Sequence, residues 1–143
     1  LMRAGSSMTE PQPEIGEADR WLREADEELR AAQIIAQHPE VPDRVAGFHA
    51  HLAAEKALKS LLICRGVSLP RIHDLVGLRA LLPAADQPFF SDDDVELLNP
   101  WTIEGRYPAD IADAGTEELA KVLAAARRVV KAAAGAEGTG EGP

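Results

Sequence analysis

The sequence has few aromatic residues and only one cysteine among its 143 residues. Aromatic residues make up 4% of the chain, so alanine and leucine must build most of the core. Cys64 alone cannot form an intramolecular disulfide, and no His or second Cys lies close enough in sequence to suggest a thiol nucleophile or a zinc site. We therefore expect a small, buried cysteine in a reducing compartment, and neither a metal site nor a cofactor.

Long hydrophobic runs and an excess of positive charge are also missing. The apolar runs are only a few residues long, so we predict no transmembrane span and no signal peptide, and we expect a cytoplasmic protein that does not bind membranes. The formal net charge of −9 argues against a surface that coats DNA phosphates, although it leaves room for a local basic cleft. DNA is therefore not an expected partner.

The residues that are abundant, Ala, Leu, Glu and Arg, favour helices, and the chain length favours one domain. The first residues resemble an expression-tag remnant ahead of Met8. We assign residues 1–13 to this remnant and a disordered N terminus, residues 14–134 to one helical bundle, and the Gly/Glu-rich residues 135–143 to a disordered tail.

Three long segments carry hydrophobic residues at alternating spacings of three and four, which is typical of amphipathic helices. The first should end near His38, because Pro39 cannot continue it. The second should begin with Asp43 as its N-cap and end before Gly66, and the last should begin after Thr116. With two short helices between them, these segments predict an all-α, up-and-down antiparallel bundle of four to five helices.

Charged residues in the second segment are predicted to face solvent. Glu55 and Lys59 are four residues apart and can form an ion pair on the outside of the helix. Lys56 follows Glu55 directly and therefore points about 100° away from it. One of these two charges could reach the interior or a dimer interface, but two solvated charges are the simpler interpretation.

Three motifs occur in a fixed order along the chain. Residues 53–59 read Ala-Ala-Glu-Lys-Ala-Leu-Lys, residues 73–75 read His-Asp-Leu, and residues 106–108 read Arg-Tyr-Pro. In order and spacing they resemble the HEPN family over roughly residues 15–134. The resemblance implies a helical bundle that dimerises and associates with nucleotides or RNA. Many members are metal-independent ribonucleases, often toxins encoded beside a minimal nucleotidyltransferase antitoxin, whereas others are binding modules.

The ribonucleases of this family carry an arginine followed a few residues later by a histidine. A histidine can remove the proton of the ribose 2′-hydroxyl, and an arginine can hold the charge that develops on the phosphate. The resemblance assigns the arginine position to Arg106, but Ile111, Ala112 and Asp113 stand where the histidine is expected. No histidine follows Arg106 anywhere in the chain. This departure counts against cleavage.

Histidines elsewhere in the chain leave alternatives open. Arg44 precedes His49 and His51 at a similar spacing, but in the second helix rather than at the family position. His73 orders the loop while Asp74 caps the following helix, or both line a groove beside the arginine of the family motif.

The connection before the last helix holds the better functional candidates. Arg106 and Tyr107 could contact a phosphate and stack on a base. Alternatively, Tyr107 plugs the end of the bundle and Arg106 pairs with an acidic neighbour or with the second copy of a dimer. Trp101 is expected to pack beneath this connection rather than to bind a base.

We therefore expect a stand-alone, dimeric module that associates with a nucleotide or RNA, cleaves it weakly or not at all, and acts with a minimal nucleotidyltransferase partner in a toxin–antitoxin-like pair. One alternative is a metal-independent endoribonuclease that uses Arg106 with His73, His49 or His51 as its catalytic residues. Another is a nucleotide-binding module. The candidate binding residues are Arg106, Tyr107, His49, Lys56 and Asp74.

Overall fold

The computed structural model describes residues 13–72, 74–102 and 115–140. Within these residues the chain forms five α-helices, one 3-10 turn and no strand, which confirms the predicted all-α bundle. The helices are α1 (Pro13–Ala36), α2 (Asp43–Cys64), α3 (Leu75–Ala80), α4 (Asp92–Leu98) and α5 (Gly115–Gly140), and the 3-10 turn is Gln87–Phe89.

The ends of α2 follow from local backbone chemistry. Asp43 is the first helical residue rather than the predicted N-cap; Pro42 takes the N-cap position in an extended conformation and provides no side-chain hydrogen bond. The carboxylate of Asp43 still lies in the first turn, where the helix dipole favours negative charge. At the other end, Gly66 adopts a positive φ of 77°, which confirms its predicted place just after the helix.

Helix α2 is the central element and packs against each of the other four helices. Its alanines are buried and let neighbouring helices approach closely, while leucines fill the remaining space. The fully buried apolar side chains of α2 are Ala50, Ala53, Ala54, Ala57, Leu58, Leu61 and Leu62.

Because α2 is surrounded, it also buries charged and polar side chains. Glu55 and Lys59 form the predicted ion pair, with Lys59 Nζ 2.7 Å from Glu55 Oε2. They are only 6% and 8% exposed, so the prediction that this pair lies on the outside is wrong. The ammonium group of Lys59 lies over the ring of Trp21 in α1, 5.6 Å from its centroid, where the aromatic face attracts the cation.

Trp101 covers the first turns of α2 and is 2% exposed, so it is packed rather than free to bind a base; the connection beneath which it is predicted to lie is outside the described residues. Its ring lies against the backbone of Gly47, where a β-carbon would stand 1.9 Å from Trp101 Cε3. Only glycine permits this approach, because even a methyl group would overlap the ring. Trp101 therefore holds the chain against α2 just before the connection to α5.

Helix α5 continues to Gly140, past residue 134 where the sequence pattern predicts the end of the bundle. Arg65, at the end of α2, donates one hydrogen bond to the carbonyl of Ala136 at 2.9 Å and two to Asp86 at 2.7 and 3.0 Å. Ala136 itself is buried. Glycine has a low helix propensity, so these contacts help to stabilise the last turns of α5. In the part of the chain described, no helix combines the length and apolarity needed to cross a membrane.

Candidate functional site

Three of the candidate residues, His73, Arg106 and Tyr107, lie outside the described residues. The candidates within the description are His49, Lys56 and Asp74, with His51 as an alternative base. These described candidates occupy two different places in the bundle. His49 and Lys56 face α1, whereas Asp74 lies at the junction of α3 and α4.

Asp74 has a structural role at the start of α3. Its carboxylate accepts a hydrogen bond from the backbone N–H of Val76 at 3.3 Å, as an N-cap does. It also accepts one from the side-chain amide of Asn99, just after α4, at 2.7 Å. Asn99 in turn accepts a hydrogen bond from the backbone N–H of Leu75 at 2.8 Å. Asp74 therefore joins α3 to the end of α4.

The main polar cluster at the α1–α2 interface is centred on Glu28. Its Oε1 atom lies 2.7 Å from His49 Nδ1, and its Oε2 atom lies 2.8 Å from Lys56 Nζ. Lys56 also lies 3.4 Å from the more exposed Glu24. A carboxylate only accepts hydrogen bonds, so the Nδ1 atom of His49 carries the hydrogen, and Nε2 is the basic nitrogen of a neutral ring. The cluster is partly open: 30% of the His49 side chain is exposed.

The contacts shift the pKa values in the Glu28 cluster. Burial alone would raise the pKa of Glu28, but hydrogen bonds from Lys56 and His49 and their positive charges outweigh it and lower that pKa. For Lys56, burial would lower the pKa, whereas the bonds and charges of Glu28 and Glu24 raise it. Both charged forms are therefore favoured by folding.

We expect Glu28→Gln to lower the free energy of unfolding by about 1–2 kcal/mol at neutral pH, because it removes the charged partner of His49 and Lys56. The pKa of Glu28 is lower in the folded protein, so its contribution is present above the ordinary carboxyl pKa and disappears as the pH falls through the folded value. The difference between wild type and Glu28→Gln should therefore shrink in acid. Urea denaturation across the acidic range measures this, and an unchanged difference at low pH would contradict it.

His51 is placed very differently from His49, although only two residues separate them. It is 1% exposed, and its Nδ1 donates to the carbonyl of Leu98 at 3.0 Å. Its Nε2 lies 3.6 Å from Glu55 Oε1, beyond hydrogen-bond distance. A base for an RNA substrate must be reachable by that substrate, so His51 is not placed for this role.

Many of the cations in the described part are paired with carboxylates. The pairs include Arg20–Glu17, Arg23–Asp19, Arg30–Asp26, Lys59–Glu55, Arg65–Asp86, Arg79–Asp92 and Arg128–Asp94. A groove of about 420 Å³ between α1 and α5 contains two of these pairs, Arg23–Asp19 and Arg30–Asp26, around an apolar floor that includes Leu22 and Val130. Within residues 13–72, 74–102 and 115–140, no group of three or more His, Cys, Asp or Glu side chains could hold a metal ion.

Sequence reasoning missed the central residue of the cluster, Glu28. Glu28 is one of several charged residues in the first helix, and nothing in its neighbourhood in sequence indicates a partner in α2. The only available signal was indirect: α2 is apolar on so many sides that its remaining charges need partners on adjacent helices.

Comparison with known proteins relates the chain to one family. A family model described as HEPN domain matches residues 18–136. The crystal structure of an archaeal HEPN homologue has a TM-score of 0.65 and 22% sequence identity, covering 84% of this chain and 97% of that one. At this identity the structural similarity establishes the fold alone. No curated protein matches the chain.

Proposed function

We propose that this chain, which belongs to the HEPN domain family, is a dimeric binding module that associates with a nucleotide or RNA without cleaving it. It works together with a minimal nucleotidyltransferase in a toxin–antitoxin-like pair. The family membership rests on the match over residues 18–136. The partner and the ligand class follow from the resemblance of residues 53–59, 73–75 and 106–108 to the family's motifs.

The observation that carries the proposal is that one carboxylate, Glu28, holds both His49 and Lys56. These two residues help to hold α1 against α2, and the carboxylate of Glu28 neutralises the positive charge of Lys56. The buried His51 and the capping Asp74 also have structural contacts. The ligand-binding role therefore falls to Arg106 and Tyr107, without a histidine after the arginine to act as the family's base.

Association of the purified chain tests the proposal. We expect light scattering to give twice the 15.3 kDa mass of the chain, and the dimer to co-purify with the nucleotidyltransferase encoded by a neighbouring gene. A folded monomer that does not bind the neighbouring product would contradict it.

Ligand association is tested separately by thermal unfolding with ATP and with a short single-stranded RNA. A ligand that binds the folded state raises the unfolding temperature by mass action. We expect at least one of the two to do so in wild type, and Arg106→Ala to reduce the effect. An identical melting curve with and without both ligands would exclude this part of the proposal.

A second candidate function is metal-independent cleavage of RNA by Arg106 with His49. It is favoured by one feature of the Glu28 cluster: a carboxylate fixes Nδ1 of a partly exposed His49 and leaves Nε2 as the basic nitrogen. His49→Gln distinguishes the two functions, because it should abolish cleavage if His49 is the base and leave ligand binding by Arg106 in place.

A further inference from the structure

Ser60, on the buried side of α2, contacts the long helices on either side of it. Its hydroxyl oxygen lies 2.8 Å from the carbonyl oxygen of Ala18 in α1. The same oxygen is within hydrogen-bond distance of the carboxyl group of Glu137 in α5. Ser60 has no exposed surface, so water does not replace either contact. A hydroxyl has one hydrogen and can donate it to only one of these two oxygens.

Only a protonated Glu137 makes both contacts hydrogen bonds. The carbonyl of Ala18 cannot donate, so Ser60 must donate to it, and the Ser60 oxygen then accepts the O–H hydrogen of Glu137. If Glu137 is ionised, the carbonyl oxygen of Ala18 and the carboxylate oxygen of Glu137 compete for the single hydrogen of Ser60, and one contact is lost. We propose that Glu137 is the proton donor of a junction that joins α1, α2 and α5, so that ionisation of Glu137 loosens the C-terminal turns of α5.

The groups around Glu137 are consistent with a bound proton. Burial raises the pKa of Glu137 above its ordinary value, and the negative charge of Asp19 on α1 raises it further. A hydrogen bond donated by Ser60 and the charge of Arg65 act in the opposite direction. The hydrogen of Ser60 is needed by Ala18, however, and Arg65 is already paired with Asp86 through two hydrogen bonds.

The resulting pH dependence has the opposite sign to that of Glu28. The pKa of Glu137 is raised by folding, so the stabilisation from its proton is fully present below the ordinary carboxyl pKa of 4.5. It disappears as the pH rises through the folded value. The α5 terminus should therefore loosen with rising pH, while the Glu28 cluster tightens.

The first test is the side-chain pKa of Glu137, measured by carbon NMR in wild type and in Ser60→Ala. If Ser60 accepts from the protonated carboxyl, removing the hydroxyl removes a partner of the neutral form, and the pKa of Glu137 should fall. If Ser60 instead donates to the ionised form, its removal leaves the charge less well solvated and the pKa rises. A rise or no change therefore overturns the proposal.

The second test does not depend on the folding of Ser60→Ala. In Glu137→Gln the side-chain amide can donate to Ser60 at every pH. In wild type, we expect the hydrogen-exchange protection of residues 136–138 to fall about 2- to 12-fold as Glu137 ionises, which corresponds to the loss of one hydrogen bond. In Glu137→Gln the protection should stay constant. Glu117→Gln, an exposed change on the same helix, should behave as wild type. Equal pH responses in wild type and Glu137→Gln would refute the junction.

Discussion

Gly47→Ala is expected to lower the free energy of unfolding by about 3 kcal/mol, at the upper end of what one extra methyl group costs in a packed core. A β-carbon at this position would stand 1.9, 2.5 and 2.6 Å from three ring carbons of Trp101, so the ring must move. Trp101 is buried and has little space to shift. The higher helix propensity of alanine, worth about 1 kcal/mol, offsets only part of the loss.

Chemical denaturation measures this effect, and Gly135→Ala is the matched control. Gly135 lies in α5, where a β-carbon would meet nothing within 4 Å. The same substitution should therefore stabilise the protein there by up to about 1 kcal/mol. Trp101→Ala should make Gly47→Ala nearly harmless, since the two positions are in direct contact. If Gly47→Ala and Gly135→Ala have the same effect, the close packing of Trp101 on α2 is contradicted.

Lys59→Met should also destabilise the protein by about 3 kcal/mol, because it removes one partner of a buried ion pair. The methionine fills similar space, so the loss comes from the charge rather than from a cavity. The substitution removes the contact with Glu55 at 2.7 Å and the cation over the Trp21 ring. Lys121→Met, at an exposed position of α5, should change stability by no more than about 0.5 kcal/mol.

A double-mutant cycle separates the ion pair from other effects of the Lys59 substitution. Glu55→Gln alone takes the carboxylate away from the ammonium group of Lys59, and Lys59→Met then removes that ammonium group. The double variant should therefore lose at least about 1 kcal/mol less unfolding free energy than the sum of the two single variants. Strictly additive effects would mean that the two groups are not coupled.

The helices of this chain were predictable because their signals are local. Spacings of three and four in α1, Pro39 after it, and Gly66 after α2 all act within a few residues. The surroundings of α2 were not predictable in the same way. Whether Lys59 meets water or Trp21 depends on how α1 packs across it, and that information is spread over distant parts of the chain.

The same distinction applies to the candidate site. The capping role of Asp74 follows from its position before Leu75 and was predicted as one of two alternatives. The partner of Lys56, Glu28, is 28 residues away in sequence, and no motif joins the two. His49 and His51 look equivalent in the sequence, yet one is partly exposed and the other is buried. For the Arg106 and Tyr107 segment, the predictions from sequence remain predictions.

Incubation of the purified protein with total RNA in excess chelator tests the central claim most directly. Wild type, Arg106→Ala and His49→Gln are compared, each checked for folding by circular dichroism. A module that binds without cleaving predicts the same intact RNA pattern for all three proteins. Cleavage by wild type that Arg106→Ala and His49→Gln both abolish would contradict that claim and establish a metal-independent ribonuclease with His49 as its base.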